Sequence, residues 1–142
     1  MRYNRDVRAL GLDIGERNIG VAISDPTGTI TRPLRTIART SLKQDLETLR
    51  SLIDECEAVA LVVGYPRNMD GSIGPQAAKI ESMIESLKTL GVPVFKSDER
   101  LSSREAEQRM LESGLDSRER NSRRDEFAAA VILQRYFDEG SV

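Results

Sequence analysis

Between Ala9 and Ile14 the chain alternates strictly, with Leu10, Leu12 and Ile14 on one face of a predicted strand and Ala9, Gly11 and Asp13, extended back to Val7, on the other. The pattern resumes after a turn at Gly15–Asn18: Ile19, Val21 and Ile23 are bulky, whereas Gly20, Ala22 and Ser24 are small. This predicts a hairpin with one bulky face and one stripped nearly to backbone. Pro26-Thr27-Gly28 marks a second turn, and residues 29–37 read as a third strand. Leu42, Leu46, Leu49 and Ile53 repeat with helical period behind a capping-box pattern at Ser41 to Gln44. Ala58 to Gly64 is a continuous apolar run, as in a buried parallel strand. The loop "YPRNMDGSIG" leads to a helix with Pro75 near its first turn and Ala77, Ile80, Ile84 and Leu87 on its apolar face. Val92 to Ser97 predicts a fifth strand. Ser102 to Glu105 reads as another capping box, opening a short helix that stops near Gly114. An Arg-rich linker, Ser117 to Arg124, then precedes a last helix over Arg124 to Asp138. The order β-β-β-α-β-α-β-α-α predicts an α/β fold, a mixed sheet with helices on both faces.

Length and composition narrow the function. The 142 residues suit one domain over residues 1–142. No apolar run approaches the length of a membrane span, and no signal-peptide core precedes the first strand, so a cytoplasmic protein without a membrane partner is expected. The single cysteine, Cys56, excludes an internal disulfide and fits a reducing compartment. It lies on a helical pattern as a small core or surface residue. The absence of histidine excludes Ser-His-Asp and Cys-His catalysis and the usual zinc sites. Acid-base or metal chemistry must then use carboxylates, Lys, Tyr or water, and the carboxylates prefer hard ions such as Mg²⁺ or Mn²⁺. Net charge is -2, so no global field draws the chain to nucleic acid. The 21 basic residues are nonetheless mostly arginine, the better fork for phosphate. Arg118, Arg120, Arg123 and Arg124 crowd the linker, which by composition alone fits a solvated charge run slightly better than a phosphate site.

Three acidic positions fall at element ends: Asp13, the pair Asp98-Glu99, and Asp125 with Glu126. In an open α/β sheet, ligands gather at the carboxyl ends of the parallel strands, where Asp13 and Asp98-Glu99 are placed. Asp125 begins the apolar stripe of the last helix and is expected to face the sheet. Carboxylates crowded together repel one another, and divalent ions reverse that cost. The small face of Ala9, Gly11 and Gly20 is expected to leave room for ions or a substrate backbone. Each residue also has an ordinary structural role open to it. Asp13 suits an Asx turn to the Gly15–Asn18 amides, Asp125 suits a helix cap, and Asp98 and Glu99 suit surface pairs with arginine.

Four stretches, "GLDIGERNIGVAISD", "VVGYPRNMDGS", "DERLSS" and "DEFAAAVILQRYF", together resemble the YqgF/RuvX family, in the family's order and over nearly the whole chain. The resemblance implies an RNase H-like fold with a five-stranded mixed sheet in the order 3-2-1-4-5. It also implies a nuclease that matures the 5′ end of pre-16S rRNA or, alternatively, resolves Holliday junctions in branched DNA. By the same resemblance Asp13, Glu99 and Asp125 are the catalytic, metal-holding carboxylates for Mg²⁺ or Mn²⁺, expected as two ions. Asp98 is a further candidate ligand, ranked below Glu99 because neighbours on a strand point to opposite faces. The chain departs from the family pattern at Asn18, where a second basic residue is usual, at Tyr65 in place of leucine, at Ser102-Ser103 in place of two threonines, and at Glu126.

Candidate nucleic-acid contacts are Arg17, Asn68, Ser72, Arg100, Arg118, Arg120, Arg123 and Arg124. Arginine contacts to phosphate position a substrate without reading its sequence. Asn68, Gly71 and Ser72 precede a helix N-terminus, a setting that suits an anion or an ordinary capped turn. The expected partners are pre-rRNA or branched DNA and a ribosomal assembly, with the chain a monomer or weak homodimer. Two other classes compete. The Asp-Gly hairpin is shared with ATP-dependent phosphotransferases, but those close two such domains over the nucleotide. A non-catalytic RNA-binding module is the stronger rival.

Overall fold

A computed structural model describes residues 8–67, 70, 72 and 74–140. Five strands, β1 (Ala9–Ile14), β2 (Asn18–Ser24), β3 (Thr31–Ala38), β4 (Ala60–Tyr65) and β5 (Val94–Asp98), form one sheet in the order β3-β2-β1-β4-β5. The first three pair antiparallel as a meander, and β4 and β5 add in parallel, as the α/β reading and the family resemblance implied. Helices α1 (Leu42–Cys56), α2 (Ala77–Leu87), α3 (Ser102–Glu112) and α4 (Ser117–Glu139) complete the fold.

The two faces of the sheet differ as the hairpin pattern predicted. Leu10, Leu12, Ile19, Val21, Leu61 and Val63 pack with Leu49 and Ile53 of α1 and Ile80, Ile84 and Leu87 of α2. On the other face Ala9, Ala22 and Val62 meet Ala129, Ala130, Ile132 and Leu133 of α4. Helix α3 packs outside α4 through Ala106, Met110, Phe127, Ala128 and Val131. Two buried hydroxyls tie the second layer to the sheet: Thr31 Oγ1 donates to the Ala130 carbonyl at 3.0 Å and Ser97 Oγ to the Ile132 carbonyl at 2.9 Å. Cys56 packs at the edge of the first core, and burial raises its thiol pKa, which suits a structural role. No helix among the described residues is long and apolar enough to cross a membrane.

Three local expectations are corrected. The Arg-rich segment is no linker: α4 already begins at Ser117, behind a capping box in which Asp116 accepts from the Glu119 amide at 2.8 Å and Glu119 accepts from the Asp116 amide at 3.0 Å. The first two turns of α4 project beyond the sheet, so they need no apolar stripe and show none in the sequence. At α3 the capping box of Ser102 does not form. The N-cap position is Leu101, with φ 62° and no side-chain cap. The Ser41 pattern before α1 is realised in one direction, Ser41 Oγ accepting from the Gln44 amide at 3.2 Å.

A carboxylate site between two glycines

Asp13 stands near the end of β1 on the face that α4 covers, directly across from Gly20 of β2. A Cβ on Gly20 would overlap the Asp125 carbonyl and lie 2.8 Å from the Glu126 nitrogen. The backbone of α4 thus rests on the backbone of β2, and that contact brings Asp125 beside Asp13. On the other flank, β1 and β4 run in register through Leu12 and Val63, which leaves Gly64 next to Asp13. A Cβ on Gly64 would sit 2.6 Å from Ile132 Cδ1 and 3.0 Å from Glu99 Oε1. Glu99, just past β5, therefore folds its side chain over Gly64 toward Asp13. At Gly20 the opposing atoms are backbone, so only glycine tolerates the approach, whereas at Gly64 the Ile132 and Glu99 side chains would have to shift. The small face consequently makes room for a helix backbone and a glutamate rather than directly for ions or substrate, which corrects the sequence reading. At Gly11 the same space is filled by Leu133 and Ala129.

The electrostatics follow from this crowding. Burial, then the charges of Glu99 and Asp125, push the Asp13 carboxyl up to about 7. Burial, then the charge of Asp98, raises Glu99 as well. Among the described residues no hydrogen bond or ion pair reaches the Asp13, Glu99 or Asp125 carboxylates. The structural roles left open for them are therefore not taken up. The Gly15 amide donates to the Asn18 carbonyl at 2.9 Å, so the turn closes without Asp13. Asp125 lies inside α4, well past the cap at Asp116.

The neighbouring carboxylates are spent differently. Asp98 accepts from the Arg100 amide at 2.9 Å and from Arg100 Nε at 2.8 Å, and those contacts hold its carboxyl below the usual range despite burial. It is bound to arginine, one of the structural roles open to it. Glu126 neither faces solvent nor joins the three: it is 6% exposed, accepting from Thr36 Oγ1 at 3.3 Å and Arg123 Nε at 3.0 Å. No group of three His, Cys, Asp or Glu side chains among the described residues closes around a single metal position.

The basic candidates divide sharply. Arg120 and Arg124 both pair with Glu107 of α3, at 3.1 and 2.9 Å, and Arg123 spans Glu126 and the Phe127 ring. Arg100 is held by Asp98 at 2.6 Å. Arg17 in the hairpin turn and Arg118 at the start of α4 are exposed, with no side-chain partner among the described residues. Ser72 donates its hydroxyl and its amide to Asp70, which places a carboxylate where an anion site was expected. Asn68 and Gly71 lie outside the described residues.

Sequence reasoning missed several supporting residues. Asp45, 3% exposed, accepts from the Thr40 amide at 3.0 Å and Arg39 Nε at 3.4 Å, while Arg39 also donates to the Gly15 carbonyl at 2.8 Å. This buttresses the hairpin turn beside Asp13. Tyr65 donates its hydroxyl to Glu81 at 3.0 Å, with Lys96 bound to the same carboxylate and lying over the ring. A cleft of about 730 Å³ opens beside Glu99, lined also by Ile14, Gly15, Arg39, Pro66 and Lys79.

Known proteins bear on this arrangement. A family model described as "RuvX: Holliday junction resolvase" matches residues 7–139. The "Putative pre-16S rRNA nuclease" of Thermoanaerobacter pseudethanolicus is 43% identical over 134 residues, covering 93% of this chain and 96% of that protein. The protein of the same name from Halothermothrix orenii is 44% identical over 133 residues, covering 93% and 95%. Among solved structures, T. thermophilus RuvC in complex with Holliday junction substrate superposes with a TM-score of 0.60 at 14% identity, over 95% of this chain and 98% of that one. The Fowlpox virus resolvase in complex with Holliday junction DNA does so with a TM-score of 0.54 at 11% identity, over 92% and 97%. These two share the fold. The match along nearly its whole length, with the carboxylates set between Gly20 and Gly64, makes this chain a member of the RuvX family.

Proposed function

We propose that this protein is a divalent-metal-dependent endonuclease of the cytoplasm that hydrolyses phosphodiester bonds, acting in maturation of the 5′ end of pre-16S rRNA. One observation carries the reading. Asp13, Glu99 and Asp125 are brought together by the α4 backbone at Gly20 and the Glu99 side chain at Gly64, and among the described residues their carboxylates have no hydrogen-bond or ion-pair partner, although the acidic side chains around them do. A carboxylate raised to about 7 beside two others is a set of hard oxygen donors of the type that divalent cations prefer. The residues fit Mg²⁺ or Mn²⁺ in donor type. Closing the cage requires the side chains to turn inward, since they do not surround one point by themselves. A bound divalent ion would supply Lewis acidity at the phosphoryl oxygen and ease deprotonation of the attacking water.

The chain's own residues do the rest. Asp13, on the central strand, is the fixed member. Glu99 and Asp125 approach it from opposite flanks. Arg17 and Arg118 are the side chains available to backbone phosphates, and phosphate contacts of this kind orient a strand without selecting a base. Trimming one RNA end needs a single site. Resolving a four-way junction needs two sites related by a two-fold axis.

The test is a cleavage assay with Mg²⁺ and Mn²⁺ on a 5′-extended pre-16S rRNA fragment and on a four-way DNA junction, comparing the unmodified protein with Asp13→Asn. Metal-dependent cutting of the RNA that drops by about a thousandfold in the variant is expected. Preference for the junction would instead assign a resolvase. Folded, unmodified protein that cuts neither would leave an RNA-binding module.

A further inference from the structure

Arg135 of α4 reaches across to the turn that carries Glu99. Its Nη1 donates to the Asp98 carbonyl at 2.9 Å and to the Arg100 carbonyl, the two peptide oxygens that bracket Glu99. Its Nη2 donates to Glu105 in the first turn of α3 at 2.9 Å. The Arg135 side chain is only 12% exposed and its bonds to the two carbonyls are partly buried, whereas Glu105 is 53% exposed.

The turn it grips is strained. The Ser102 amide donates to the Glu99 carbonyl at 3.1 Å, closing a four-residue turn whose third residue is Leu101. Leu101 has φ 62° and ψ 8°, the conformation that glycine or asparagine takes at that position of a type II turn. Its side chain is 44% exposed, so core packing does not hold it there. Glu57, the other non-glycine residue with positive φ among those described, has an ordinary reason, since it ends α1 with its amide on the Asp54 and Ile53 carbonyls. A bulky residue in this conformation persists only where its surroundings over-determine it. Here the surroundings include Arg135, the two bonds that Arg100 donates to Asp98, and the Glu99 amide donating to the Tyr65 carbonyl at 3.3 Å.

We propose that Arg135 is a positioning residue that clamps the strained Leu101 turn and thereby aims Glu99 over Gly64 at Asp13. This rests on the reading of Glu99 as a member of the metal-holding site. The function of the strain is direction: a relaxed turn would carry Glu99 off the glycine gap, and the clamp keeps it there.

The experiment compares Arg135→Met, Arg135→Lys, Leu101→Gly and the Leu101→Gly/Arg135→Met pair in the full chain. Amide hydrogen exchange is read at Ser102 and Glu105, Mn²⁺ binding by calorimetry, and cleavage by kcat and KM. Arg135→Met is expected to speed exchange at both amides by about tenfold and to weaken Mn²⁺ binding by about fivefold. It should lower kcat by about 30-fold with KM within about twofold. Arg135→Lys regains part of each effect, and it carries the test should the methionine variant not fold. Glycine adopts φ 62° without strain, so in the Leu101→Gly background the same methionine substitution should cost only about threefold in kcat. Unchanged exchange in Arg135→Met, or equal effects in the two backgrounds, would overturn the clamp. If the unmodified chain cuts nothing, the nuclease reading fails, while the exchange and Mn²⁺ arms still decide the clamp.

Discussion

The two faces of the sheet are built by opposite rules. Toward α1 and α2, leucine, isoleucine and valine fill space with interchangeable volume, and no backbone approach is fixed by a single atom. Toward α4, alanine and glycine bring backbones into contact, and the contact sets where Asp125 and Glu99 fall relative to Asp13. One face stabilises, whereas the other measures distance.

Substitutions that exchange the roles of the faces test the contrast. Gly20→Ala forces a methyl into the α4 backbone, which no rotamer change relieves. It should cost about 4 kcal/mol or prevent folding, read by denaturant unfolding. Leu61→Ala, in the bulky core, should cost about 3 kcal/mol in the same measurement, yet leave kcat per folded molecule unchanged. If Leu61→Ala lowers kcat as much as it lowers stability, the faces are not separable.

Asp13→Asn sharpens the comparison from the side of charge. The folded state holds the Asp13 proton up to about pH 7, whereas an unfolded chain releases it near 3.8. The folded state therefore binds more protons across that window, and stability falls as pH rises through it. The asparagine variant lacks this slope. Without metal it should match the unmodified protein below about pH 4 and exceed it by about 2 kcal/mol at pH 8, the full shift being discounted for the solvent that reaches a half-buried group. Added Mn²⁺ should narrow the gap by stabilising only the unmodified protein. The smallest effect belongs to Arg118→Ser, which should leave stability within about 0.5 kcal/mol. The slope of log affinity for nucleic acid against log salt should fall in magnitude by about one.

Much of this was legible in the chain. Period-two alternation separated the bulky face from the small one, and it placed Asp13 on the small face, where α4 docks. What it could not reveal was the occupant. A glycine opposite a carboxylate looks the same whether an ion or a helix fills the gap, and only the tertiary docking of α4 distinguishes them. The start of α4 was misread because its first turns, Ser117 to Arg124, extend past the sheet. They are held by a capping box and by Glu107 from another helix, neither of which produces a hydrophobic period. The acidic partner of Arg120 and Arg124 escapes a local count of charge because Glu107 lies on another helix, 17 residues from Arg124, whereas Arg123 meets Glu126 three residues along its own helix. Arg135 carried no local mark at all.

The contact between Gly20 and α4 has a consequence in time as well as in space. Asp13 enters the sheet with the first hairpin, whereas Asp125 rides on a helix that follows every strand in the chain. The carboxylate trio thus depends on a contact between residues 20 and 125, far apart in the chain, a class of contact whose loop closure must be met before it forms. A chain still being synthesised, or one whose last helix has undocked, has strands and a bulky core but holds no third carboxylate. Assembly order alone keeps the site incomplete until the fold is finished.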